Sequence, residues 1–332
     1  MREFHCPYCR DQVSFEQCEC TSCGNKLLFD TANLKMARLQ DENPCDNRDI
    51  IGCNWSVDGV GRYCASCCLN RTIPNLSVLR NVLLWKRVEE AKRRLVYDLS
   101  RLQLPLLSRS GDHIAFDILS DEAGPVLTGH RSGLITLNLA EADDVERESR
   151  RIAFREPYRT LLGHFRHEVG HFYWDLLVEG TKLRASFNLI FGDSALDYQG
   201  ALSSYYSRIE RAYDRNSFIS EYATSHPWED WAETFAHFLH IVSTLDTLAG
   251  LPLALDDRAK QVLKDPYLES DFEALLASWK PVARSINELN RSLGLGDAYP
   301  FELAQAVMGK LHLVHMAIGH FRSGSPHSSA NL

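Results

Sequence analysis

The sequence predicts an α+β chain in two parts, a cysteine-rich metal-built module followed by a larger domain that joins a small twisted sheet to helices and becomes mostly helical toward its end. Three observations predict it. All ten cysteines fall within the first 68 residues and none follows. Strand-like runs are confined to the stretch between His113 and Leu139, with helical spacing of apolar residues on either side. A His-Glu-x-x-His pattern, His167 to His171, sits inside a segment with no proline and with apolar residues at helical spacing.

In the N-terminal module, Cys6-Pro7-Tyr8-Cys9 and Cys20-Thr21-Ser22-Cys23 are two CxxC knuckles ten residues apart. Such knuckles fold back as a hairpin pair and close a four-thiolate zinc site, a zinc ribbon. A disulfide framework is the alternative, and a redox CxxC a weaker one, because no βαβ pattern surrounds it. No secretory signal precedes the first knuckle, which favours a reducing, cytoplasmic compartment and therefore zinc. Cys45, Cys53, Cys64 and Cys67 make a second four-thiolate set of less regular spacing, with Cys18 and Cys68 left over, each near enough to a ligand to replace it. A module this short and poor in aliphatics needs metal for stability. Both sets are closed, which assigns them scaffolding rather than catalysis.

Ile73-Pro74-Asn75-Leu76-Ser77 opens a long helix to about Leu102, stopped by Pro105. Its basic run from Lys86 to Arg94 alternates with Glu89 and Glu90 and reads as a solvated face. His113–Leu119 and Gly133–Leu139 read as strands with a turn at Ser120–Pro125, the second strand being the candidate sheet edge along a cleft, with an ordinary interior strand as the alternative. On the next helix His167 and His171 share a face, so both imidazoles reach one metal ion, and Glu168 points toward the place of an activated water. A third ligand is needed. Pro227, acids in the first turn and spaced aromatics mark a second helix from His226 to Ile241. There Glu233 is the favoured third ligand, being a carboxylate among apolar neighbours. His226, Glu229, Asp230 and His237 compete for the role. Glu229 and Asp230 read better as first-turn acids that complement the helix dipole, and His237 as a partner of a ligand. Tyr222 and His226, just ahead of this helix, are candidate donors to a developing oxyanion. Short helices and loops over residues 188–215 rim the site. Trp279, Phe301 and Leu303 read as core. His312, His315 and His320 lie on a terminal helix as packed or solvated residues.

The stretches LLGHFRHEVGHFYWDLLV and HPWEDWAETFAHFLHI, with CDNRDIIGCNW, NRTIPNLS and VLTGHRSGLITLNLAEADDVERE, resemble a family of bacterial zinc-binding metallopeptidases that carry an N-terminal zinc ribbon. The resemblance covers about residues 3 to 320. It implies a zincin-like fold, His167, His171 and Glu233 as ligands, Glu168 as general base, and a reaction class without a named substrate.

The boundaries expected are residues 1–70 for the ribbon, 71–105 for a connecting helix, 106–322 for the catalytic domain and 323–332 for a frayed tail. Over 332 residues the chain carries 36 basic and 44 acidic residues, a net charge of −8, with no basic cluster in the ribbon, which argues against nucleic acid as partner. No run of 18 apolar residues exists, so no membrane span is expected. The expected activity is zinc-dependent hydrolysis of a peptide bond with three zinc ions per chain, two structural and one catalytic, and a narrow range of protein or peptide substrates presented or restricted by the ribbon. A catalytically silent zincin and a ribbon-led adaptor are the rivals. The intact Glu168 speaks against the first.

Overall fold

The ribbon opens with two antiparallel hairpins, β1 (Phe4–His5) with β2 (Gln12–Val13) and β3 (Leu27–Asp30) with β4 (Lys35–Arg38), followed by the single turn of α1 (Arg48–Ile51). The structure is a computed structural model and describes residues 3–107, 111, 113–154, 158–208, 213–251 and 264–324. The ribbon's apolar content is aromatic. Phe4, Phe15, Phe29 and Trp55 pack edge-on or tilted around one another. That cluster continues into the next unit, where Tyr97 meets Phe15 at 5.4 Å and Phe29 at 6.1 Å. A module too small to bury its own rings borrows a wall from its neighbour.

That wall is α2 (Leu79–Arg101), 23 residues long. It is the connecting helix expected from the sequence, packed between the ribbon and later helices. Trp85, Val88, Leu95, Val96 and Leu99 are fully buried, and Tyr97 and Asp98 meet side chains from later helices. Of the expected solvated basic face, Lys86 and Arg87 are exposed, but Lys92 and Arg93 are not. Lys92 and Glu89 are both fully buried and pair at 2.8 Å, Lys92 also donates to Asn70, and Arg93 is buried against the second cysteine cluster. Each buried charge has an opposite charge or thiolate beside it, which is what burial requires.

A four-stranded sheet follows, in the order β5 (Asn70–Thr72), β6 (Ala115–Leu119), β8 (Leu134–Asn138), β7 (Gly129–Arg131). β5, β6 and β8 are parallel, and β7 is antiparallel to β8. The strand expected at the cleft edge, Gly133–Leu139, is therefore interior. The edge is β7, joined to β8 by a two-residue turn in which Ser132 (φ 49°) and Gly133 (φ 83°) both take positive φ, the geometry that matches strand twist in tight hairpins. The other edge, β5, comes from the end of the ribbon, and its Arg71 pairs with Asp117 of β6. The ribbon is thus tied into the sheet as well as onto α2.

The helices α3 (Asp144–Phe154), α4 (Leu161–Leu177), α5 (Leu183–Phe191), α6 (Tyr198–Ser207), α7 (Pro227–Ala249), α8 (Phe272–Ser292) and α9 (Gln305–Gly324) complete the described chain. Trp279 is buried and Phe301 and Leu303 pack on the core. Among the described residues no helix is long and apolar enough to cross a membrane. The last helix runs to Gly324, and the rest of the expected tail lies outside the described residues.

Candidate metal centre

The centre is made where α4 crosses α7. α4 is capped by Thr160, whose hydroxyl accepts from the Gly163 amide at 2.9 Å. α7 begins at Pro227 and is capped by His226, whose Nδ1 accepts from the Trp228 amide at 3.0 Å. At the crossing, a Cβ on Gly170 would meet the Ala232 Cα at 2.9 Å and its carbonyl oxygen at 3.2 Å. Only a glycine lets the two backbones come this close, and the Trp231 indole donates across the seam to the Gly170 carbonyl at 2.9 Å.

This crossing carries Glu229 to the two histidines. The Glu229 Oε2 lies 2.9 Å from His167 Nε2 and 3.3 Å from His171 Nε2, and the three atoms lie within 4.8 Å of one another. A tetrahedral zinc site with bonds of about 2.05 Å has ligand–ligand edges of about 3.3 Å, so the donor set and its spacing suit that ion. Glu233, the ligand expected from the sequence, is elsewhere. Its Oε1 accepts from His167 Nδ1–H at 2.7 Å and its Oε2 accepts from the Ser220 hydroxyl at 2.6 Å. That bond orients the His167 ring so that Nε2 faces Glu229; burial opposes charge on the ring, and the carboxylates on its two sides, Glu229 and Glu233, outweigh burial and hold its pKa well above the ordinary value. Glu229 stands in the first turn of α7 as expected, but it is nearly fully buried and faces the histidines; its Oε1 accepts from the Tyr198 hydroxyl at 2.6 Å. Asp230, the other first-turn acid, is buried and paired with Lys310 at 2.6 Å. His237 is turned to the Tyr299 hydroxyl at 2.9 Å.

Charge follows the geometry. Burial opposes ionisation of Glu229, but His171 and His167 override it and hold the carboxyl well below its ordinary range. Glu233 is likewise held at about 2 against burial, chiefly by its bond to His167. Glu168 has no such hydrogen-bonded partner among the described residues. Burial raises its pKa above the ordinary carboxyl value, with the two histidines pulling the other way, and its side chain lines a cavity of about 340 Å³. His167 and Tyr222 line the same cavity, the Tyr222 ring 5.8 Å from that of His167. Burial, then the Glu229 charge, pushes the Tyr222 hydroxyl far up, so it keeps its proton. His226 is not available to an oxyanion, since its Nδ1 caps α7 and its Nε2 donates to the Leu196 carbonyl at 3.2 Å.

Sequence reasoning missed two residues at the centre. Tyr198 steadies Glu229, and His130 of β7 stacks on His171 at 6.0 Å while its Nε2 accepts from the Gly133 amide at 2.9 Å. Burial, reinforced by His171 and His167, lowers His130 to about 4. Tyr198 lies in none of the stretches that carry the resemblance, and His130 lies in one, VLTGHRSGLITLNLAEADDVERE, whose sequence does not mark it for the centre; only the tertiary fold brings them here.

The cysteines form two clusters, Cys6, Cys9, Cys20, Cys23 and Cys45, Cys53, Cys64, Cys67. Facing sulfurs lie 3.7 Å apart in Cys6–Cys23, Cys9–Cys20 and Cys53–Cys64, and 3.9 Å in Cys53–Cys67. A disulfide would need about 2.05 Å, whereas a tetrahedron of ~2.3 Å zinc–sulfur bonds has edges of about 3.8 Å. The second cluster is wholly buried and its Cys67 sulfur lies 3.8 Å from the Glu89 carboxylate. Burial opposes the Arg93 charge, and Cys53, Glu89, Cys67 and Cys64 outweigh that. The Arg93 Nε and Nη1 have no hydrogen-bond partner among the described residues, and the cysteines of the cluster act on this charge through space. Cys18 and Cys68 point away, to the carbonyls of Gly52 and Ala65.

A family model described as "Putative zinc-binding metallo-peptidase" matches residues 81–317, and one described as a zinc-ribbon domain matches residues 3–78. Uncharacterized proteins of Mycobacterium bovis and Mycobacterium tuberculosis are each 42% identical over 328 residues, covering 96% of this chain and 95% of their own. No solved structure matches the chain.

Proposed function

The chain belongs to that zinc-binding metallopeptidase family, and on this premise we propose that it hydrolyses a peptide bond in the cavity between α4 and α7, holding zinc on His167, His171 and Glu229. When bound, the ion supplies Lewis acidity that polarises a carbonyl and acidifies water. The protein's own groups do the rest. Glu168, its carboxyl raised by burial, takes the proton of the attacking water and delivers it to the leaving amine. Tyr222 remains protonated and donates to the carbonyl oxygen as negative charge develops there. Glu233 and Ser220 hold the His167 ring in register, and Tyr198 does the same for Glu229. Two further zinc ions, one in each cysteine cluster, hold the ribbon together, for three ions per chain.

The observation that carries this reading is the convergence of two imidazole nitrogens and one carboxylate oxygen within 4.8 Å of one another, with His167 of that set lining the cavity that also holds Glu168. The test is Glu168→Gln. The variant is expected to keep all its zinc and lose peptide hydrolysis by a factor on the order of 10²–10⁴. Unchanged hydrolysis would remove Glu168 from the reaction.

A further inference from the structure

One turn before His167 on α4, about 4.5 Å along the helix axis, the same cavity is lined by His164 and, around it, by Glu141, Arg150 and Arg159. Glu141 is 1% exposed. Its Oε1 accepts from Arg159 Nη2 at 2.9 Å and from Arg150 Nη1 at 2.5 Å, and His164 Nδ1 lies 3.7 Å from its Oε2. Burial and Arg159 hold His164 down at about 4, so it adds no charge at neutral pH. Arg159, 9% exposed, and Glu141 form an interior pair. Arg150 is the outer member, 31% exposed and facing the cavity. Glu141 Oε1 is its one hydrogen-bond partner among the described residues. Asp121 feels its charge from a distance, its own carboxylate being held by the Val126 amide and the Asn138 side chain. A guanidinium has five donors in a planar fork that matches a carboxylate. Arg150 spends one of them on Glu141.

We propose that this end of the cavity is a subsite for a substrate carboxylate, gripped by Arg150, so that cleavage falls at a fixed short distance from an acidic side chain or from the substrate's C-terminus. The inference rests on the peptidase reading. An extended peptide advances about 3.4 Å per residue, and Arg150 and Glu168 line one cavity, so the recognised carboxylate falls within about three residues of the scissile bond. A purely structural role, in which Arg150 only ties α3 to Glu141, predicts no such preference.

The test uses the full-length, zinc-loaded protein and fluorogenic peptides in which Asp, Asn, Glu and Gln are scanned through the three positions on each side of the bond, each made with a free and an amidated C-terminus. The expected result is an acid-over-amide preference at one position, or a free-over-amidated preference, on the order of tenfold or more in kcat/KM. The first assigns the carboxylate to a side chain and the second to the terminus. Arg150→Gln should collapse that ratio toward one through KM, and Arg150→Glu should turn it toward Lys or Arg at the same position. Equal kcat/KM for acid and amide, free and amidated, would overturn the subsite. Hydrolysis of none of the peptides would instead overturn the peptidase reading. In that event the subsite is decided by the affinity of Glu168→Gln protein for the same peptides: a preference for the carboxylate forms that Arg150→Gln removes upholds it, and equal affinities overturn it.

Discussion

Replacing Gly170 by alanine tests the helix crossing that builds the centre. The added Cβ would stand 2.9 Å from the Ala232 Cα and 3.3 Å from the Phe235 Cβ. Carbon atoms rest at about 3.6 Å or more, so α4 and α7 must part by roughly 0.7 Å. Two energies then oppose each other. Alanine gains about 1 kcal/mol over glycine in a helix interior, while overpacking costs about 1–3 kcal/mol. The net is a loss of up to ~2 kcal/mol and a Tm lower by a few degrees, leaving a folded protein. The site suffers more. Glu229 lies three residues before Ala232 on α7 and moves with it, whereas metal–ligand distances tolerate about 0.2 Å. Zinc at the histidines should bind on the order of 10–100-fold more weakly, and hydrolysis should fall on the order of 10²-fold. A chelator competition reads this directly, the two ribbon ions serving as an internal control for folding. Unchanged affinity of the third ion in Gly170→Ala would refute the claim that helix approach positions Glu229.

Other substitutions separate the roles assigned here. Glu229→Ala should remove the histidine-bound ion and leave two zinc ions by elemental analysis, whereas Glu233→Ala should keep three under excess zinc and weaken the third by about 10–100-fold. The opposite pattern would return the ligand role to Glu233. Tyr198→Phe removes one charge-assisted hydrogen bond to Glu229 and should lower zinc affinity by about tenfold, read by the same competition; no change would leave Tyr198 a packing residue. Arg93→Met takes the positive charge from beside the second cysteine cluster and should speed zinc release from that cluster alone, measured with a colorimetric chelator; equal release from both clusters would deny Arg93 that role.

The parts of this protein that were legible in its sequence are those written locally. His167, Glu168 and His171 depend only on the turn of one helix, and the CxxC knuckles only on a hairpin. The choice between Glu229 and Glu233 was not local. The two stand four residues apart on one face of α7, so helical register admits both, and the crossing at Gly170 and Ala232 decides between them. A first-turn position made Glu229 look like a dipole-complementing acid, although the same turn is the part of α7 that reaches the imidazoles. β5 and β7 are three residues long, too short to show a period of two. Lys92 and Arg93 looked solvated because Asn70 and the cysteines of the second cluster are brought to α2 only by the docked ribbon, which buries them together with Glu89 of the same helix.

The central claim, that α4 and α7 together hold a hydrolytic zinc ion, is tested most directly by anomalous diffraction above and below the zinc edge on crystals of the full-length protein. The account predicts three peaks, one in each cysteine cluster and one at about 2.0–2.2 Å from His167 Nε2, His171 Nε2 and a Glu229 carboxylate oxygen, with Glu233 remaining on His167 Nδ1. A third peak bonded to Glu233, or no peak between the histidines in zinc-loaded protein, would contradict it.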